Sequence, residues 1–100
     1  VIKFKFIDDV ESVVEMSGHA EYESKGYDIV CAAASSIVIT SFNAISKFIN
    51  TDEYKLIKEE GYLKLTLTNN SNTVKLLLEN LLEQMIELEN QFPKNIMIIK

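Results

Sequence analysis

The stretch "SGHAEYESKGYDIVCAAASS", residues 17–36, holds the only histidine and the only cysteine of a 100-residue chain. His19 and Cys31 stand 31 − 19 = 12 positions apart. A thiolate is a potent nucleophile. An imidazole, with an ordinary pKa of about 6.5, is the side chain suited to take the thiol proton and return one to a leaving amine. The pair therefore offers acyl-transfer chemistry. Ser35 lies four residues beyond Cys31, on the same face if the segment is helical, where its hydroxyl can hydrogen-bond to substrate or to the reacting groups. Asp28, three residues before Cys31, can cap a helix or orient His19.

Such chemistry requires elements that bring the pair together. Ile2, Phe4 and Phe6 alternate with Lys3 and Lys5, the period of a strand with one buried face, and Asp8 and Asp9 mark a turn. Ser12 to Ser17 forms a second strand that runs directly into Gly18 and His19. The polar segment Ala20 to Tyr27, with Gly26, is expected to be a mobile loop. From Ile29 to Phe48, apolar residues recur at spacings of three and four, so Asp28 is expected to be the N-cap of an amphipathic helix. Cys31 would then occupy the third helical position, near unpaired backbone N–H groups and the positive end of the helix dipole, which favour a thiolate.

A second hairpin turns near Glu60 and Gly61, with Tyr54, Leu56 and Lys58 alternating before it and Leu63, Leu65 and Leu67 after it. "NNSN" offers caps for a second helix carrying Val74, Leu77, Leu78, Leu81, Leu82, Met85 and Leu88, which stops by Pro93. "NIMIIK" reads as a final strand, buried on both faces or covered by a partner. The order ββαββαβ predicts one α+β domain over residues 1–100, with two helices on an antiparallel or mixed sheet in two layers. An apolar helix face or sheet edge in so small a domain makes a homodimer a natural expectation.

Composition narrows the partners. The formal charge is −5, and all 10 basic residues are lysine, which disfavours direct nucleic-acid binding because arginine supplies most bidentate phosphate and guanine contacts. The acidic balance suits solubility or a basic partner. The N-terminus "VIKFKFIDD" lacks a signal peptide's continuous apolar segment, and no apolar run is expected to reach the ~18 residues that span a bilayer, so a cytoplasmic protein with no membrane contact is expected. One cysteine and one histidine are too few for a structural zinc site, and neither a CxxC pair nor a Gly-rich phosphate loop is present, so no metal and no cofactor are implied.

The residues alone leave plainer readings open. A cysteine in "VCAAA" is commonly a small buried hydrophobe, an aspartate before a helix a routine cap, and a helical serine a donor to its own backbone. Beyond acyl transfer, the stretch could belong to a non-catalytic peptide-binding module, or the thiol to a redox sensor.

"GHA" at Gly18 to Ala20, followed by "GYDIVCAAAS" at Gly26 to Ser35, resembles the ribosomal-processing cysteine protease family, Prp. The resemblance spans the whole chain in length and element order. It implies a cysteine endopeptidase that removes the N-terminal extension of a large-subunit ribosomal protein precursor, whose leader is hydrophobic. By the same resemblance Cys31 matches the nucleophile and His19 its general base, Asp28 and Ser35 match supporting polar positions, and residues 20–27 match a flap over the substrate. Tyr22, Gly26 and Tyr27 would line that substrate-binding loop, and family members look like homodimers.

Overall fold

The structure is a computed structural model describing residues 1–18 and 25–99, with residues 25–28 described by their backbone alone. The elements run β1 (Ile2–Asp8), β2 (Ser12–Ser17), α1 (Lys25–Ser46), a 3-10 turn (Thr51–Glu53), β3 (Tyr54–Glu59), β4 (Tyr62–Leu67), α2 (Asn72–Gln91) and β5 (Ile96–Ile99). The expected ββαββαβ order holds, and the sheet is mixed. Its strands lie in the order β3-β4-β2-β1-β5, antiparallel throughout except for the parallel pair β1 and β5.

Register puts Ile2, Phe4, Val14, Met16, Leu63, Leu65 and Leu67 of the central strands on one face, while Ile7 and Val13 oppose each other on the other. Phe4 opposes Met16, which opposes Leu63, and Val14 opposes Leu65. These residues are buried together with Val30, Ala34, Val38 and Ile45 of α1 and with Val74, Leu78, Leu81, Met85 and Leu88 of α2. Each of these side chains other than Ala34 stabilises the fold by roughly 1.5–3 kcal/mol relative to leaving it in water. The intervening strand residues, Lys3, Lys5, Glu15 and Lys64 among them, occupy the opposite face, so the domain has two layers. Ser12 is the one buried polar side chain among the described residues, and its hydroxyl donates to Asp8 Oδ1 at 3.2 Å.

Several sequence expectations are corrected. α1 begins at Lys25 rather than Ile29, so residues 25–27 are helix, not loop, and Asp28 is the fourth helical residue rather than the cap. The sequence places Ser24, as favourable a cap type as aspartate, just before this start, and a helix tolerates the glycine at position 26 at a cost of about 1 kcal/mol. Residues 20–24 of the expected loop lie outside the described residues. At its other end α1 stops at Ser46, leaving Phe48 62% exposed instead of on the buried face. β5 is an edge strand with Met97 and Ile99 exposed, not buried on both faces. Its outward Ile98 N–H donates to Glu89 Oε2 of α2 at 3.0 Å, which blunts that edge.

The expectation that no apolar run reaches spanning length also fails. Ile29–Ser46 is 18 residues without a charge and is long and apolar enough, by composition, to cross a bilayer. In the fold this segment lies on the sheet, with Val30, Ala34, Val38 and Ile45 wholly buried. Serine, threonine and asparagine occupy its outer positions Ser36, Thr40 and Asn43, so charge is missing without the helix being apolar all round.

Asn50 to Glu53 pins the end of α1 to the distal loop. Glu53 accepts the Asn50 backbone N–H at 2.8 Å and the Asn69 side-chain amide at 2.9 Å. Both bonds favour the carboxylate, the Asn50 contact most, and hold its pKa below the ordinary 4.5. A depressed folded-state pKa contributes stability above the unfolded value and loses it as pH falls through the folded one. The stability difference between wild-type protein and Glu53→Gln should therefore be largest at neutral pH and shrink as pH falls below 4.5, read as urea midpoints. An unchanged difference would show that the carboxylate charge is not its source.

Candidate active site

β2 ends at Ser17, and Gly18 turns the chain with φ +114°, a conformation L side chains rarely adopt. Its N–H donates to the Gly61 carbonyl at 3.0 Å, tying the strand end to the β3–β4 turn, where Gly61 itself has φ +71°. This corner is where β1, β2 and β4 deliver Ile2, Met16 and Leu63, and α1 crosses above it. Cys31, Ser35 and Ile39 follow one another at helical spacing of four and line the same cavity, of about 120 Å³.

Cys31 is a free thiol, half-buried and packed against the core margin. Ser35, also half-buried, stands one turn along beside it. The structure thus brings these two expected site residues together. Gly26, Tyr27 and Asp28 belong to the first turn of α1. His19 and Tyr22 lie outside the described residues.

The longer helix changes the expected electrostatics at sulfur. Cys31 is the seventh residue of α1, beyond the first four N–H groups that lack intrahelical partners. In a helix that begins at Lys25 those unpaired donors lie no later than Tyr27, a turn or more earlier, so they do not surround the thiol as the shorter helix predicted.

The cavity's remaining wall comes from residues that sequence reasoning passed over: Lys58, Glu59, Gly61 and Tyr62. A signal for Gly61 was present, because the glycine that closes the second hairpin must lie at the same sheet end as the termination of β2 once β2 and β4 pair. Tyr62 opposes Ser17 across that pair, and its hydroxyl donates to Glu15 Oε2 at 2.5 Å. That bond, then burial and the nearby charges of Glu15 and Glu59, raise the Tyr62 pKa above its usual 10.0 and keep the phenol neutral. Among the described residues no group of three or more His, Cys, Asp or Glu side chains could hold a metal ion.

Chemically the corner presents a thiol and a hydroxyl, one helical turn apart, to an apolar-walled recess able to receive a side chain. The residue after Gly18 is the chain's only imidazole. A family model described as cysteine protease Prp matches residues 1–97. The ribosomal processing cysteine protease Prp from two strains of Staphylococcus aureus is 31% identical over 90 residues, covering 83% of this chain and 80% of the relative. Among solved structures, the essential ribosomal processing protease Prp from S. aureus in complex with a substrate peptide superposes with a TM-score of 0.86 at 25% identity. It covers 99% of this chain and 98% of its own. The S. aureus protease with a covalently linked product peptide gives 0.79 at 26% identity, over 98% and 97% of the two chains. A Streptococcus mutans protein gives 0.76 at 28%, over 97% and 90%. With the family match running from β1 through the second residue of β5, and with its thiol on the cavity, the chain belongs to the cysteine protease Prp family.

Proposed function

We propose that this cysteine protease removes the N-terminal extension of a large-subunit ribosomal protein precursor, using Cys31 as nucleophile and His19 as general base. The observation that carries the proposal is the placement of Cys31 and Ser35 on one apolar-walled cavity at the strand end that leads into His19. The relatives' substrate and product peptide complexes support it.

In the proposed cycle His19 takes the proton from Cys31 Sγ, and the thiolate attacks the peptide carbonyl carbon. The C–N bond breaks as His19 protonates the departing amine, leaving a thioester. Water, giving a proton to His19, then adds to the acyl carbon, and the C–S bond breaks to release the thiolate and a carboxylic acid, which loses its remaining proton to solvent and becomes the carboxylate. Asp28 and Ser35 act as supporting polar groups, and Tyr22, Gly26 and Tyr27 contribute to the wall over the bound leader. The apolar lining of Ile2, Met16, Ile39 and Leu63 suits a hydrophobic leader side chain. No cofactor, nucleic acid or membrane enters the scheme, and its proposed setting is cytoplasmic.

Incubation of the protein with a synthetic leader peptide spanning the junction, followed by mass spectrometry, tests the proposal. Two new peptides summing to substrate plus one water are expected with repeated turnover. Binding without cleavage would favour a non-catalytic ribosome-associated peptide-binding module, and a stable sulfenic acid with no cut peptide would favour a redox sensor.

The proposed working form is a homodimer. Ile29, 59% exposed on an α1 face that carries no charge between residues 29 and 46, supports this by offering apolar surface for a second copy. Light scattering should return twice the chain mass at micromolar concentration; the mass of a single chain would exclude it.

A further inference from the structure

We propose that Lys58 forms a carboxylate subsite at the mouth of the Cys31 cavity, where it holds the new C-terminal carboxylate of the leader after cleavage. The proposal rests on the protease reading and deepens it. Strand alternation sets the direction of the side chain. Lys58 opposes Leu63 and Leu56 opposes Leu65, both leucines being buried beneath the helices. Lys58 thus shares the helix side of β3 with Tyr54 and Leu56, which pack on the core. Its neighbour Glu59 opposes Tyr62, and the Glu59 charge acts on the Tyr62 hydroxyl, so that carboxylate belongs to the other face of the sheet. Among the described residues lining the cavity, Lys58 is the only cation.

The chemistry at Cys31 generates the ligand. The acyl carbon bonded to Sγ becomes the carboxylate carbon when water cleaves the thioester, so a negative charge appears inside a recess walled largely by Ile2, Met16, Ile39 and Leu63. A carboxylate in such surroundings requires a partner. Ser35 can donate one hydrogen bond, and Lys58 can supply the countercharge. Among the described residues β3 is the outermost strand, and Lys58 is exposed, so its long side chain can reach over the mouth. A lysine there distinguishes product from substrate, because the substrate carbonyl is neutral and the product carboxylate is not. Product retention follows, and the freed leader competes with fresh precursor.

The test uses full-length Cys31→Ala protein and three fluorescent leader peptides: one ending at the scissile position as a free acid, one identical but carboxamidated, and an amidated peptide with a glutamate in place of its last polar side chain. Fluorescence anisotropy should show the acid binding about three- to fivefold more tightly than the amide, the range expected for an exposed ion pair, with the preference shrinking at high salt. Lys58→Met should erase the preference, and Lys58→Arg, which keeps the charge, should retain it. Equal binding of acid and amide by the Lys58-intact protein would overturn the proposal. So would a preference that survives Lys58→Met, or one that follows the glutamate side chain instead of the terminal carboxylate. Failure of the protease reading looks different, because it appears as an uncut junction peptide with active Cys31 protein.

Discussion

Cys31→Ala and His19→Ala proteins should each cleave a leader peptide at least about a thousandfold more slowly than wild type while keeping their folds. Removal of sulfur deletes the atom that forms the acyl bond, and no other thiol can substitute because the chain contains one cysteine. Structural damage should be small. Cys31 is half-buried at the margin of the core, and alanine already occupies the next three positions of the helix, so the exchange removes one atom from a site that faces a cavity. Loss on His19→Ala has a different origin: the nucleophile remains, but the proton acceptor and the acid for the leaving amine are gone. The Cys31→Ala protein should therefore still bind the peptide, whereas iodoacetamide should still label the thiol of His19→Ala, at a reduced rate. Circular dichroism and urea midpoints alongside the assay separate catalysis from unfolding. Full cleavage by purified Cys31→Ala protein would sink the mechanism.

The parts of this fold that were legible in sequence are those in which one face of an element is buried and the other is not. Ser12 to Ser17 was readable to the residue because Ser12, Val14 and Met16 are buried while their alternates are not, and because aspartates flank its turn. α2 was readable because Val74, Leu78, Leu81, Met85 and Leu88 mark one stripe and Ser71 caps it, accepting the Val74 N–H. The start of α1 was not. Two capping residue types, Ser24 and Asp28, compete there, the intervening turn has no apolar stripe to place it, and Gly26 argues locally for a loop.

The error propagated to chemistry, because it moved Cys31 from the third helical position to the seventh and away from the unpaired N–H groups. Phe48 misled for a related reason: it continues the spacing from Ile45, but the helix has already ended at Ser46. The candidate site divides in the same way. Its reactive residues were visible as rare types close in sequence. Lys58 and Tyr62 were invisible, because only the pairing of β4 with β2 and of β3 with β4 carries them to the end of the sheet where Cys31 lies.

Gly18→Ala should destabilise the chain by roughly 2–3 kcal/mol and lower kcat/KM for leader cleavage more than tenfold at a temperature where the variant is still folded. Two costs add at this position. At φ +114° an alanine is strained whatever space surrounds it, and the added Cβ would lie 2.6 Å from the Val1 carbonyl oxygen and 3.1 Å from Ile2 Cα. Both contacts are backbone, so no rotamer change relieves them. Either the start of β1 moves, disturbing Ile2 in the cavity wall, or Gly18 turns out of its conformation and gives up its 3.0 Å hydrogen bond to Gly61. The second route redirects the chain one residue before His19, and the activity loss should therefore exceed what the remaining folded fraction accounts for. Gly61→Asn is the matched control. With φ +71° it lies near the left-handed region that asparagine adopts readily, and its cost should stay below about 1 kcal/mol. Urea midpoints and kcat/KM measured on both variants decide the matter: a Gly18→Ala protein as stable and active as Gly61→Asn would show that the corner does not depend on this glycine.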